Sequence, residues 1–124
     1  MLVVSMDVAA AARLYGWNAL WRVTGARSAG RALIDALGAP DEDLQMLAGI
    51  FLVRGADKAE PLLEEALASR KHLPEVITIL ADIGDPKYKP EFHRLTEDPN
   101  PAVADAARDA LRVLEARREA GVSN

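Results

Sequence analysis

Gly84-Asp-Pro-Lys-Tyr-Lys-Pro-Glu-Phe-His-Arg-Leu-Thr96 is the stretch on which the fold turns, because it aligns without a gap onto two segments upstream. These are Gly55-Ala-Asp-Lys-Ala-Glu-Pro-Leu-Leu-Glu-Glu-Ala-Leu67 and Gly25-Ala-Arg-Ser-Ala-Gly-Arg-Ala-Leu-Ile-Asp-Ala-Leu37, so the leading glycines are spaced by 30 and 29 residues. Three apolar columns run through the alignment: Ala29, Ala59 and Tyr88; Leu33, Leu63 and Phe92; Ala36, Ala66 and Leu95. They fall three or four residues apart, which places them on one face of a helix. Each segment reads as the second helix of a helical hairpin, and self-similarity at such a period signals a repeat architecture.

The residues before each glycine repeat as well. Trp17, Leu47 and Val76 share a column, as do Leu20, Ile50 and Ile79, and Trp21, Phe51 and Leu80. A fourth first helix starts at Pro101, where Ala107, Ala110 and Leu111 occupy the same columns at a spacing of 31, and no second helix follows it. Local signals agree with this division. Pro40-Asp-Glu-Asp43 places proline and carboxylates at a helix start, where free N–H groups favour them. Asp98-Pro-Asn-Pro101 predicts a turn into a helix capped by Asn100. Gly38, Gly55 and Gly84 follow apolar runs as terminating glycines do, and Pro61 and Pro90 are expected early in their helices, where a missing N–H costs least. The expectation is one all-α domain over 1–124 with roughly seven helices in about three and a half hairpins. Its repeats are set at 7–37, 41–69 and 72–96, with a half repeat at 101–119.

Ile83-Gly-Asp-Pro-Lys-Tyr-Lys-Pro-Glu-Phe92 followed by Leu95-Thr-Glu-Asp-Pro-Asn-Pro-Ala-Val-Ala-Asp-Ala-Ala-Arg-Asp-Ala-Leu111 resembles the HEAT repeat, specifically its short bacterial form called PBS-lyase HEAT-like. The resemblance spans roughly residues 14 to 116 and is most specific at its end. It implies an α-solenoid, a HEAT-like superhelix of stacked antiparallel helix pairs whose second helices line a concave face. Departures from the pattern lie upstream: Gly25 and Gly55 are each followed by Ala, and Arg31 stands where Pro61 and Pro90 stand.

Composition bounds the chemistry. The chain has 124 residues, no cysteine, and a net charge of -4. Thiolate metal sites, disulfides and cysteine nucleophiles are therefore excluded, and the balance lacks the basic footprint that nucleic acid or anionic lipid requires. The apolar start is interrupted by Asp7 and preceded by no Lys or Arg, unlike a signal peptide, and reads as helix. No run reaches the about 20 apolar residues of a membrane span. A cytoplasmic setting is expected, with Gly121 to Asn124 fraying.

Candidate chemistry is sparse. Trp17 and Trp21 suggest either a stacking platform beside Arg13 and Arg22 or core packing, and their apolar columns favour the core. Gly25 and Gly30-Arg31 imitate a phosphate loop without its Gly-Lys-Ser/Thr or its preceding strand. His72 and His93 lie 21 residues apart, which gives no paired zinc ligands. His93 shares a column with Ile34 and Glu64 that is expected to face solvent. Glu64-Glu65 and Asp41-Glu42-Asp43 read as solvated faces and helix starts, and none of Ser5, Ser28 and Ser69 lies in Gly-x-Ser-x-Gly. Catalytic, cofactor and metal residues are thus not assigned.

Charge is uneven: residues 1–34 carry four Arg against Asp7, whereas residues 35–65 carry eight acids against Arg54 and Lys58. The implied concave face has mixed sign and includes Arg31, Lys58, Glu64, Glu65, Lys87, His93 and Arg94, which are the candidate protein-binding residues. The leading expectation is a non-enzymatic module binding another protein through that face, as an adaptor, a regulator or an immunity- or antitoxin-type inhibitor. Two alternatives come with the resemblance: a phycobilin-lyase-related or tetrapyrrole-binding role, and DNA binding of the kind alkylpurine glycosylases show. Neither a nucleic-acid nor a membrane partner is expected. The unpaired last helix allows a homodimer through a terminal repeat.

Overall fold

The computed structural model describes residues 8–122, which form seven α-helices and, among the described residues, no strand. They are α1 (Val8–Thr24), α2 (Arg27–Asp35), α3 (Glu42–Arg54), α4 (Ala56–Ala68), α5 (Leu73–Ile83), α6 (Lys89–Leu95) and α7 (Pro101–Val122). Short 3₁₀ turns at Ala36–Gly38 and Pro86–Tyr88 close α2 and open α6. The helix expected across the first residues begins at Val8 within the described chain, and residues 1–7 lie outside it. At the other end α7 runs to Val122, past the expected limit of 119, so Gly121 is helical where fraying was expected; residues 123–124 lie outside the described chain.

Helix boundaries follow local chemistry. The Asp41 carboxylate accepts the Asp43 N–H at 2.9 Å, while Glu42 and Asp43 sit in the first turn of α3 and Arg54 in its last, complementing both ends of the dipole. Asn100 caps α7 by accepting the Ala102 N–H at 3.0 Å, and Pro101 occupies the first position. Gly84 ends α5 in the left-handed region at φ 91, with its N–H bonded to the Leu80 carbonyl at 3.1 Å. Gly55 differs from that pattern. Its φ is -95, so no positive angle demands glycine there; a Cβ would instead lie 2.7 and 2.8 Å from Cη2 and Cζ3 of Trp21. Pro61 also departs from expectation. It lies in the second turn of α4, where it removes an internal hydrogen bond, whereas Pro90 does sit at the start of α6.

The core is continuous through the aligned columns. Trp21, Phe51 and Leu80 are buried, as are Leu33, Leu63 and Phe92, and Ala29, Ala59 and Tyr88. α1 packs on α2 and α3, α2 on α4, α4 on α5, and α7 on both α5 and α6. Three column assignments need correction. Leu20 and Ile50 are 42% and 41% exposed while Ile79 of the same column is buried. α7 packs closely beside α5 and encloses Ile79, whereas Leu20 and Ile50 stand on helices without such cover on that side. Trp17 is 39% exposed for the same reason, although Val76 in its column is buried. Ile34, expected to face solvent with Glu64 and His93, is buried instead, because α2 is pressed between α1, α3 and α4.

Charged residues tie the loops at one end of the helices. Arg70 and His72 take left-handed φ values of 59 and 49 in the α4–α5 turn, an unfavourable backbone for non-glycine residues. Arg70 is held there by two hydrogen bonds to Asp98, at 2.9 and 3.1 Å, and the same carboxylate accepts the Asn100 N–H at 3.0 Å. Lys71 pairs with Asp35 from the end of α2.

Candidate functional site

The α2, α4 and α6 side of the protein carries the residues singled out from the sequence, and most of them are engaged with one another. Arg31 of α2 grips Glu65 of α4 through two bonds of 3.2 and 3.3 Å. That hydrogen bonding, with the charge of Arg31, holds the Glu65 carboxyl below the usual carboxylate range. Lys87 reaches Glu60 at 3.0 Å and Glu64 at 3.5 Å, and the bond to Glu60 raises the ammonium above the ordinary lysine value. Beside it the Tyr88 hydroxyl donates to Glu64 at 2.6 Å and to Glu60 at 3.3 Å; burial, followed by the hydrogen bond to Glu64, pushes its ionisation far upward. Lys58 donates to the Arg22 carbonyl, tying α4 to the end of α1. Arg94 pairs with Glu91 on its own helix. His93 is exposed and stands apart from these pairs. The structure therefore joins Arg31 to Glu65 and Lys87 to Glu64 across successive hairpins, and leaves Lys58, His93 and Arg94 outside those clusters.

The opposite side is open. An elongated groove of about 880 Å³ runs between α3 and α7, with α5 forming its base. Met46, Ile50 and Val53 of α3 make one wall and Ile79 of α5 the floor; Met46 is 64% exposed. Five carboxylates, Glu42, Glu75, Asp82, Asp105 and Asp109, line it against two guanidinium groups, Arg54 and Arg117. Asp105 and Asp109 pair with Arg108 and Arg112 on α7 itself, whereas Glu42, Glu75 and Asp82 form no ion pair among the described residues. Arg117 donates to the Asp82 carbonyl and packs over Gly84, bracing the far end of the groove.

The sequence columns missed this groove, although α3 did carry a signal. Leu44, Met46, Leu47, Ile50, Phe51, Leu52 and Val53 surround the helix with apolar side chains, more than one buried face uses. Phosphate-loop mimicry at Gly30 has a packing cause: Gly30 is buried within α2, where a Cβ would lie 2.9 Å from Trp21 Nε1. No group of three or more His, Asp or Glu side chains is placed to hold a metal ion among the described residues. Within the same residues no helix is long and apolar enough to cross a membrane. Compared with protein-family models, with curated proteins and with solved structures, the chain gives no match.

Proposed function

We propose that this chain is a short HEAT-like α-solenoid acting as a non-enzymatic protein-binding module, an adaptor, regulator or inhibitor working in the bacterial cytoplasm, and that it meets its partner across the α3–α5–α7 groove. The observation that carries this reading is the open trough itself, where Met46 and Ile50 of α3 stand exposed beside a row of carboxylates. Exposed apolar surface gathered in one concave place marks interaction sites. The candidate residues on the α2, α4 and α6 side support it from the other direction. Arg31, Glu64, Glu65 and Lys87 are already satisfied by one another, so engaging them requires breaking existing pairs. The carboxylates along the groove repel phosphate and propionate groups, which weighs against DNA and tetrapyrrole ligands at this site.

Site-specific photocrosslinking tests the reading. A crosslinker replacing Met46 is expected to trap a protein partner, and one replacing Arg94 is not. Trapping only from position 94 moves the interface to the second helices, and trapping from neither removes the proposal.

A further inference from the structure

Resting on the groove reading above, we infer that the occupant of the α3–α5–α7 trough is a cationic amphipathic helix, with an apolar stripe toward Met46 and Ile50 and Lys or Arg toward the carboxylates of α3 and α5. The shape argues for a helix. α3 contributes thirteen residues from Glu42 to Arg54, which at 1.5 Å per residue is a wall about 20 Å long. Met46 and Ile50 of α3 stand out into the trough, whereas Ile79 of α5 is buried beneath it. A helix laid there presents residues at i, i+3, i+4 and i+7 to such a floor, the usual helix-in-groove register.

Charge fixes the chemistry of the flanks. Glu42 of α3, and Glu75 and Asp82 of α5 one turn to either side of Ile79, line the trough with no ion-pair partner among the described residues. On the other side, by contrast, Glu60 and Glu64 share Lys87, Glu65 holds Arg31 and Glu91 holds Arg94, although Asp57 stays without an ion pair among the described residues. A helix bearing Lys or Arg supplies partners for these carboxylates, while one bearing Glu meets repulsion along most of the trough. Arg54, the last residue of α3, and Arg117, bonded to the Asp82 carbonyl near the end of α5, mark the far end, so the partner's cations concentrate toward Glu42 and Glu75.

The probe is a fluorescein-labelled 14-residue peptide with Leu at i, i+3, i+4 and i+7 spacing and Lys elsewhere, followed by fluorescence anisotropy at 0.15 M salt against the full chain. Saturable binding is expected, weakened at least ten-fold by Ile50→Lys and by the pair Glu42→Lys and Glu75→Lys. The pair Asp57→Lys and Glu97→Lys makes the same charge change away from the groove and is expected to leave affinity within two-fold; thermal melts verify that each variant folds. Equal losses from both pairs, binding of the same peptide with Glu in place of Lys, or no saturable binding all overturn the inference. Light scattering that shows a dimer abolished by Ile50→Lys assigns the trough to a second copy and overturns it too. If the peptide fails while a crosslinker at Met46 still traps a protein, the cationic helix falls and the binding module stands.

Discussion

Replacing Gly55 with alanine tests how the first hairpin is locked to the second. The Trp21 indole is 1% exposed, and the far edge of its ring lies 2.7 and 2.8 Å from where an alanine Cβ at position 55 would sit. Ordinary carbon contacts are about 3.5–4.0 Å, so the ring must retreat by roughly 1 Å. Overpacking of this kind costs about 1–3 kcal/mol. Alanine itself is acceptable at φ -95, and by restricting the unfolded chain it returns about 0.4–1 kcal/mol once the clash is gone. Gly55→Ala is therefore expected to be destabilising in the native chain and neutral or slightly stabilising in a Trp21→Leu background. With a urea slope of about 1–3 kcal/mol/M, the first effect moves the unfolding midpoint by roughly 1 M. Far-UV circular dichroism is the readout, since Trp21 is itself removed in half of the cycle. An equal midpoint loss in both backgrounds refutes the claim that Trp21 is what requires glycine at position 55.

Three further outcomes follow from the same geometry. Gly84→Ala forces a non-glycine residue to φ 91 and is expected to cost about 1–2 kcal/mol in thermal or urea unfolding; a melt unchanged from the parent contradicts the left-handed cap. In a Tyr15→Phe variant, Tyr88 is the sole tyrosine, and its 295 nm absorbance is expected to stay low at pH values where free tyrosine ionises. The sign is destabilising in alkali: the folded phenol holds its proton above the unfolded value of 10.0, so stability falls as pH rises beyond it. On the acid side, the N–H of Asn100 and the charge of Arg70 lower Asp98, so its stabilisation is present above the unfolded carboxylate range and is lost as pH falls through the folded value. Asp98→Asn is expected to flatten the urea midpoint between pH 7 and pH 3, and a slope as steep as the parent's counts against that role.

Much of the local architecture was legible because its determinants lie within a few residues of each other. Asp41 before α3, Asn100 before α7 and Gly84 after α5 act on the helix end they adjoin, and each is visible as a short motif. Errors arose where the deciding partner is far away in sequence. Gly55 does end α3 as its position after an apolar run implies, but what requires glycine there is Trp21 on another helix. Ile34, Leu20 and Ile50 were placed by analogy with their columns, which treats every hairpin as covered alike. Coverage is unequal here, since α7 lies against α5 and leaves the outer side of α3 open.

The candidate residues show why mixed sign in a column is an ambiguous signal. Arg31 and Glu65 are 34 residues apart, and Lys87 and Glu64 are 23 apart, yet each pair is adjacent once the chain is folded. From sequence, such a column reads equally as a surface awaiting a partner or as a ladder that neutralises itself; only the fold separates the two. Exposed pairs of this type contribute little individually to stability, but they cancel the local field. Unpaired charge then stands out by contrast, and Glu42, Glu75 and Asp82 have it beside apolar side chains in the groove. Exposed apolar side chains supply affinity without choosing a partner, while a surplus of one sign chooses without supplying much affinity. Their coincidence along one trough is the reason for proposing the α3–α5–α7 side, rather than the self-paired α2–α4–α6 side, as the docking surface.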